Sequence, residues 1–160
     1  PVMVSSSGAR LLRDEAIETY RCDLLPLATV ATPNIPEASE LAGVSITSSD
    51  DARAAARVIN DFGVNYVIVK GGHLETSGQS VDLLYDGEAF IEFALPWISS
   101  TSNHGTGCTF ASALAARLAL GDEVQAAFSS AKKYVWEAMN AAYAVGEGHG
   151  PLNHMWRHPK

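Results

Sequence analysis

The stretch that most limits what this chain can fold into is Val64-Asn65-Tyr66-Val67-Ile68-Val69. It is a nearly continuous apolar run, the pattern of a strand buried on both faces of a parallel sheet. A helix-type segment precedes it. Ser48 or Ser49 can cap that helix, Asp50 and Asp51 suit its first turn, and Ala52, Ala55, Ala56, Ile59 and Phe62 fall on one face. Gly63 stops it. Upstream, Ala28 to Thr32 reads as a short β-branched strand, and a short helix is expected over Pro36 to Leu41, closed by Gly43. Strand and helix alternate, which favours an α/β layered fold.

The remaining segments fit that scheme. Pro1-Val2-Met3-Val4 reads as a buried strand, and Ser5-Ser6-Ser7-Gly8 as a turn. Leu12, Ala16, Tyr20 and Leu24 have helical spacing, ended by Pro26. Val81–Tyr85 and Ala89–Phe93 flank Asp86-Gly87, a strong hairpin signal, and a hairpin in an α/β chain belongs at a sheet edge. Pro96 to Asn103 is a polar connector. Gly107 to Leu120 is Ala-rich and helical. Asp122 is expected to cap a last helix whose apolar face runs from Val124 through Ala142 and Val145 to the Gly146, Gly148 and Gly150 cluster. A strand at residue 1 also suggests that the sequence is the later portion of a longer fold, so 1–160 reads as a single partial domain.

Composition narrows the function. The chain has 160 residues, 47% of them apolar, enough for a sizeable core. Eleven basic residues face 18 acidic ones, a net charge of −7, which excludes a general polyanion-binding surface; any phosphate site must be local. Cys22 and Cys108 form neither a disulfide scaffold nor a zinc module. No run approaches the ~18 apolar residues of a membrane span, and no signal-peptide pattern opens the sequence. A reducing, cytoplasmic compartment is the expectation, with neither nucleic acid nor membrane as partner.

Three local patterns point to chemistry. Asn103-His104-Gly105-Thr106-Gly107-Cys108-Thr109 is a glycine-rich turn that opens into a helix. Its glycines allow close backbone approach to an anion, and the helix start adds partial positive charge. A thiol there can be base, nucleophile or ligand. The alternative is a glycine-rich helix entry with a buried cysteine. In Thr32-Pro33-Asn34-Ile35-Pro36-Glu37, Asn34 and Glu37 have capping-box spacing, or they project into a cleft and order magnesium with its water shell. In Val67-Ile68-Val69-Lys70-Gly71-Gly72-His73, a lysine ends a buried strand, where open α/β sheets bind ligands. Lys70 then holds a phosphate as a point charge, or it is a solvated end of the sheet. His149 and His154 have metal-like spacing but no carboxylate or cysteine partners nearby, so a surface tail is the better reading. Tyr134, Trp136 and Tyr143 suit helix packing rather than base stacking.

Taken in order, Thr32–Ala38, Val69–His73 and His104–Thr109 resemble the hydroxymethylpyrimidine/phosphomethylpyrimidine kinase family of thiamine biosynthesis, of the ribokinase-like superfamily, as does the tail Gly148–His154. The likeness runs over essentially the whole chain. It implies a ribokinase-like layered α/β/α sheet, mostly parallel, with an antiparallel edge hairpin. It implies ATP-dependent phosphorylation of 4-amino-5-hydroxymethyl-2-methylpyrimidine and then of its monophosphate. By position, Cys108 is the base or the polar group facing the substrate hydroxyl, and the backbone of Gly105, Thr106, Gly107 and Cys108 forms the anion hole. Asn34 and Glu37 organise magnesium and phosphates, Lys70 and Lys132 lie by the nucleotide, and Val2 and Met3 border the pyrimidine pocket. Cysteine rather than aspartate at the end of the glycine motif favours this family over its superfamily relatives.

The sequence departs from the family pattern in lacking the N-terminal part that supplies several strands and most of the pyrimidine pocket. The isolated chain is therefore expected to be impaired and to expose a sheet edge. Other readings are a pyridoxal kinase, a non-catalytic nucleotide-binding fragment that needs a partner chain, and, least favoured, a redox thiol at Cys108. The resemblance also admits a homo-oligomer.

Overall fold

In the computed structural model, which describes residues 1–3, 11–71 and 78–157, the apolar run becomes strand β2, Tyr66–Val69, with Val67, Ile68 and Val69 all buried. The elements in order are α1 (Asp14–Thr19), a π-helical turn (Tyr20–Leu24), a 3-10 turn (Leu25–Leu27), β1 (Val30–Ala31), α2 (Ile35–Ala42), α3 (Ser49–Asp61), β2, β3 (Gln79–Tyr85), β4 (Phe90–Pro96), α4 (Thr106–Ala119) and α5 (Val124–Asn140). Contacts group them into two units, Pro1–Ala94 and Leu95–Lys160.

The first unit is built on a sheet of order β1-β2-β3-β4. β1 pairs parallel with β2 (Val30↔Tyr66, Ala31↔Val67), and β2 antiparallel with β3 (Val67↔Tyr85, Ile68↔Leu84, Val69↔Leu83). Among the described strands the parallel share is thus one pair, smaller than expected, because β3 joins β2 antiparallel. The Asp86-Gly87 turn forms as anticipated: Gly87 takes φ +95°, and Asp86 Oδ1 accepts from the Glu88 and Ala89 amides at 2.9 and 2.7 Å. These two bonds hold the Asp86 carboxyl below the usual carboxylate range.

α3 lays Ala52, Ala55, Ala56 and Ile59 into the core with Val67, Val69, Leu83 and Tyr85. A capping box starts α3, Ser48 Oγ accepting from Asp51 N and Asp51 Oδ2 from Ser48 N. α2 is closed at its far end by Arg21. This guanidinium donates to the Leu41 and Glu40 carbonyls at 2.9 and 2.7 Å, two acceptors that the helix end leaves open.

Two upstream expectations need correction. Pro1–Met3 form no strand: Met3 enters the core while Val2 is exposed. Met3 O instead accepts from Leu11 N at 2.9 Å, a single bond and no ladder. The helix expected to reach Leu24 turns π-helical at Tyr20, which places five rather than four residues in the turn. The inward position therefore falls on Leu25, 1% exposed, and not on Leu24. Val4, the Ser5–Gly8 turn, Gly72 and His73 lie outside the described residues.

In the second unit α4 packs on α5, with Phe110 and Phe128 edge to face at 6.3 Å. Asp122 does not cap α5. Its carboxylate accepts from Arg117 Nε at 2.6 Å, and the N-cap is Glu123 with no side-chain bond. The helix ends at Asn140, five residues short of Val145. There the tail returns: Asn153 donates from its amide N–H to Ala138 O and from Nδ2 to Ala141 O, and Leu152 is buried. Tyr143 and Val145 fall beyond the helix and are exposed, so Tyr143 is no packing residue. Among the described residues no helix is long and apolar enough to cross a membrane.

Candidate functional site

Each unit carries one part of the predicted chemistry. In the first, β1 and β2 run parallel and their carboxyl ends meet. Lys70 N donates to Pro33 O at 2.9 Å, and Lys70 pairs with Asn34 as an isolated parallel bridge just past β2. Asn34 is the N-cap of α2. Its Oδ1 accepts from Glu37 N, and Glu37 Oε2 accepts from Asn34 N, both at 2.9 Å. The capping reading is therefore realised, and one carboxylate oxygen of Glu37 is engaged by it. Glu37 is buried, and its negative charge adds to burial in pushing the Tyr20 phenol above 10.0. Asn34, Glu37 and Lys70 thus stand together at the strand ends, where an open sheet receives ligands.

Magnesium is the cofactor ion that the family resemblance implies. Among the described residues no group of three His, Cys, Asp or Glu side chains could form a cage for it. One buried carboxylate beside an amide side chain suits an ion that keeps most of its waters and arrives on phosphate oxygens, which is how magnesium is commonly held. The donor set fits magnesium in that sense.

The second unit carries the glycine motif. Gly105 is the N-cap of α4 at φ +87°, a left-handed conformation that favours glycine, and no side chain caps the helix. Thr109 N donates to Gly105 O at 2.9 Å, and Thr106 N reaches Asn103 O only at 3.5 Å. Among the described residues the Gly107 and Cys108 amides have no acceptor. The preceding turn is fixed by His104 N donating to Gly150 O and Gly150 N donating to Thr101 O, each at 3.2 Å. A side chain at Gly150 would overlap Ser102 Oγ. The tail thus passes close to Ser102 at this glycine.

Cys108 is exposed, not buried as the structural reading of the motif had it. It lines a groove of about 740 Å³ with Ser112, Lys133, Tyr134, His154 and Trp156. Tyr134 stacks near His154 and lies 6.4 Å from Trp156. Lys132 is buried in α5, one position away from the groove-lining Lys133. Met3 sits in the core of the first unit and Val2 on its surface.

Sequence reasoning passed over Asp82. It is one of four buried polar or charged residues among the described residues, and its Oδ1 accepts from Gly71 N at 2.9 Å. The available signal was the acid inside the apolar run Val81-Asp82-Leu83-Leu84-Tyr85.

A parallel strand pair ending at a lysine and a capped asparagine, and a glycine turn at a helix start, belong here to an α/β fold of the ribokinase-like class, shared with solved kinases. The chain belongs to the phosphomethylpyrimidine kinase family, whose model matches residues 1–153. It is 45% identical to the hydroxymethylpyrimidine/phosphomethylpyrimidine kinase of Bacillus subtilis over 96% of this chain and 57% of that protein. It is 48% identical to the thiamine biosynthesis bifunctional protein ThiED of Geobacter sulfurreducens, over 97% of this chain and 31% of that one. The pyridoxal kinase from Staphylococcus aureus in complex with AMP-PCP superposes with a TM-score of 0.91 at 38% identity, covering 99% of this chain and 58% of that chain. The phosphomethylpyrimidine kinase from Clostridium difficile gives 0.70 at 40% identity, over 86% and 55%. The chain thus spans a little over half the length of the single-function kinases it matches.

Proposed function

We propose that this chain is the nucleotide- and anion-binding portion of a cytoplasmic kinase that uses ATP and magnesium to phosphorylate 4-amino-5-hydroxymethyl-2-methylpyrimidine and then its monophosphate. The observation that carries the reading is the pair of amides on Gly107 and Cys108 that meet no acceptor among the described residues, next to an exposed thiol. Phosphoryl transfer spreads charge over the equatorial oxygens in a loose transition state, so positioning and fixed dipoles do most of the catalysis.

In this reading the backbone of Gly105, Thr106, Gly107 and Cys108 receives the transferring phosphoryl group. The Cys108 sulfur faces the substrate hydroxyl and takes its proton. Lys70 and Lys132 neutralise nucleotide phosphates. Asn34 and Glu37 would hold waters of a magnesium ion, which would supply positive charge to the nucleotide phosphates. Val2 and Met3 border the pyrimidine. The roles so assigned are expected to lie in one partial domain, 1–160.

The test is phosphate transfer and nucleotide affinity measured separately. Cys108→Ala lowers turnover by about a hundredfold or more, the scale of a lost proton acceptor, and leaves ATP affinity within about threefold. An undiminished rate removes the assigned role of the sulfur.

A pyridoxal kinase is the second reading, favoured by the TM-scores of 0.86 to 0.91 against pyridoxal kinases of Staphylococcus aureus and Bacillus subtilis. Steady-state kinetics with both alcohols separates the two. We further propose that full activity needs more polypeptide, supplied by a further N-terminal half or by a second copy. The support is one stripe of α4, Cys108, Ala111, Ser112, Ala115, Ala116 and Ala119, which is exposed yet uncharged, the helix's exposed Arg117 lying off it and pairing with Asp122. Alone, the chain is then a weak kinase that still holds nucleotide.

A further inference from the structure

Lys70 belongs to a junction of three strands rather than to one strand end. The ladder between β2 and β3 closes at Val69↔Leu83. Continued by one residue, it sets Lys70 opposite Asp82, on the sheet face that also carries Ile68 and Leu84. Asp82 is buried, and a buried carboxylate is retained only where polar groups satisfy it. Gly71 N, the amide directly after Lys70, is one such group at 2.9 Å. On the other side, Lys70 N donates to Pro33 O at 2.9 Å. The peptides before and after the Lys70 Cα are therefore both fixed, one by β1 and one by Asp82. Position 71 admits only glycine, because a methyl group there would overlap the Val81 carbonyl oxygen of β3.

We propose that Asp82 is a positioning residue for Lys70: its carboxylate fixes the Lys70–Gly71 peptide and so sets where the lysine ammonium stands to receive a nucleotide phosphate. The proposal rests on the nucleotide reading above. An acceptor oxygen at this place is what the role requires, so Asn can replace Asp, whereas an apolar residue cannot.

The experiment uses the whole 160-residue chain, with magnesium and AMP-PCP titrated by calorimetry and the Gly71 amide followed by hydrogen exchange. Asp82→Ala weakens AMP-PCP binding by about tenfold, the factor that one misplaced charged contact is worth. It also speeds Gly71 exchange while the Val67–Val69 amides stay protected. Asp82→Asn keeps affinity within about threefold and keeps Gly71 slow. Lys70→Ala weakens binding similarly, and the double variant is no weaker than Lys70→Ala alone, because both act through one contact. Where Asp82→Ala does not fold, Asp82→Leu, which fills the space without an acceptor, carries the same expectation. Failure of both to fold makes Asp82 a folding residue and overturns the proposal, as do wild-type affinity in a folded variant or additive losses in the double variant. A wild-type chain that leaves AMP-PCP unbound at millimolar concentration sinks the nucleotide reading and the positioning role with it. Wild-type binding with an unaffected Asp82→Ala sinks the positioning role alone.

Discussion

At the scale of single residues, the same side chain often serves the fold and the site together. Glu37 closes a capping box with Asn34 and also stands at the strand end beside Lys70. Asn34→Ala removes the bond from Glu37 N and is expected to destabilise the protein by about 1 kcal/mol, read by urea unfolding. If Asn34 also serves nucleotide, the same variant weakens ATP binding by more than this loss of stability accounts for. Asp51 offers a pH test. Bonds from Thr47 and Ser48 hold its carboxyl below 3.8. A depressed native value means that the unfolded chain binds the proton first as pH falls. The contribution of Asp51 is then complete above about pH 4 and lost as pH drops through the native value. Stability of Asp51→Asn is therefore expected to fall less steeply than wild type between about pH 4 and pH 2, measured by denaturant unfolding at each pH.

The elements show how far pattern reaches. The buried face of α3, its Ser48 cap, the Asp86-Gly87 turn and the Lys70 strand end all follow from spacing that local sterics and hydrogen bonding enforce. What the pattern missed came from competition between nearby groups. Asp122 had the right residue type for a cap, but Arg117, one and a half turns back, takes its carboxylate. The apolar face of α5 continued on paper to Val145, yet Asn153 seals the helix at Ala138 and Ala141 from thirteen residues beyond its end. Gly105 is the element-scale test. Its φ of +87° leaves room for a methyl group, so Gly105→Ala meets no clash and suffers only backbone strain. That strain is about 1–2 kcal/mol, and its relief would turn the Gly107 and Cys108 amides. Urea unfolding is expected to show the loss of stability, and phosphate transfer a loss of rate larger than that of binding.

For the whole molecule, the informative quantity is charge that is missing where solvent would ask for it. A chain of net charge −7 leaves one exposed stripe of α4, Cys108, Ala111, Ser112, Ala115, Ala116 and Ala119, uncharged, with Arg117 off that stripe. If further polypeptide seats there, Ala115→Glu leaves the isolated chain folded and more soluble but abolishes activity gained on adding a complementary segment of a relative. Light scattering and reconstituted kinase assays read the two outcomes. A variant that still gains full activity on mixing removes that surface from consideration.

The order of strands and helices, the glycine turn and the motif lysine were legible because they depend on interactions within a few residues. Periodicity and capping act at that range, and so does the need of a left-handed turn for glycine. Tertiary structure alone decided which oxygen each amide meets. Asp82 accepts from Gly71 across eleven residues of chain, and the Ala138 carbonyl accepts from the Asn153 amide of the returning tail. Those choices follow from burial, which makes an unsatisfied polar group expensive, and burial is a property of the packed sheet rather than of any segment in it.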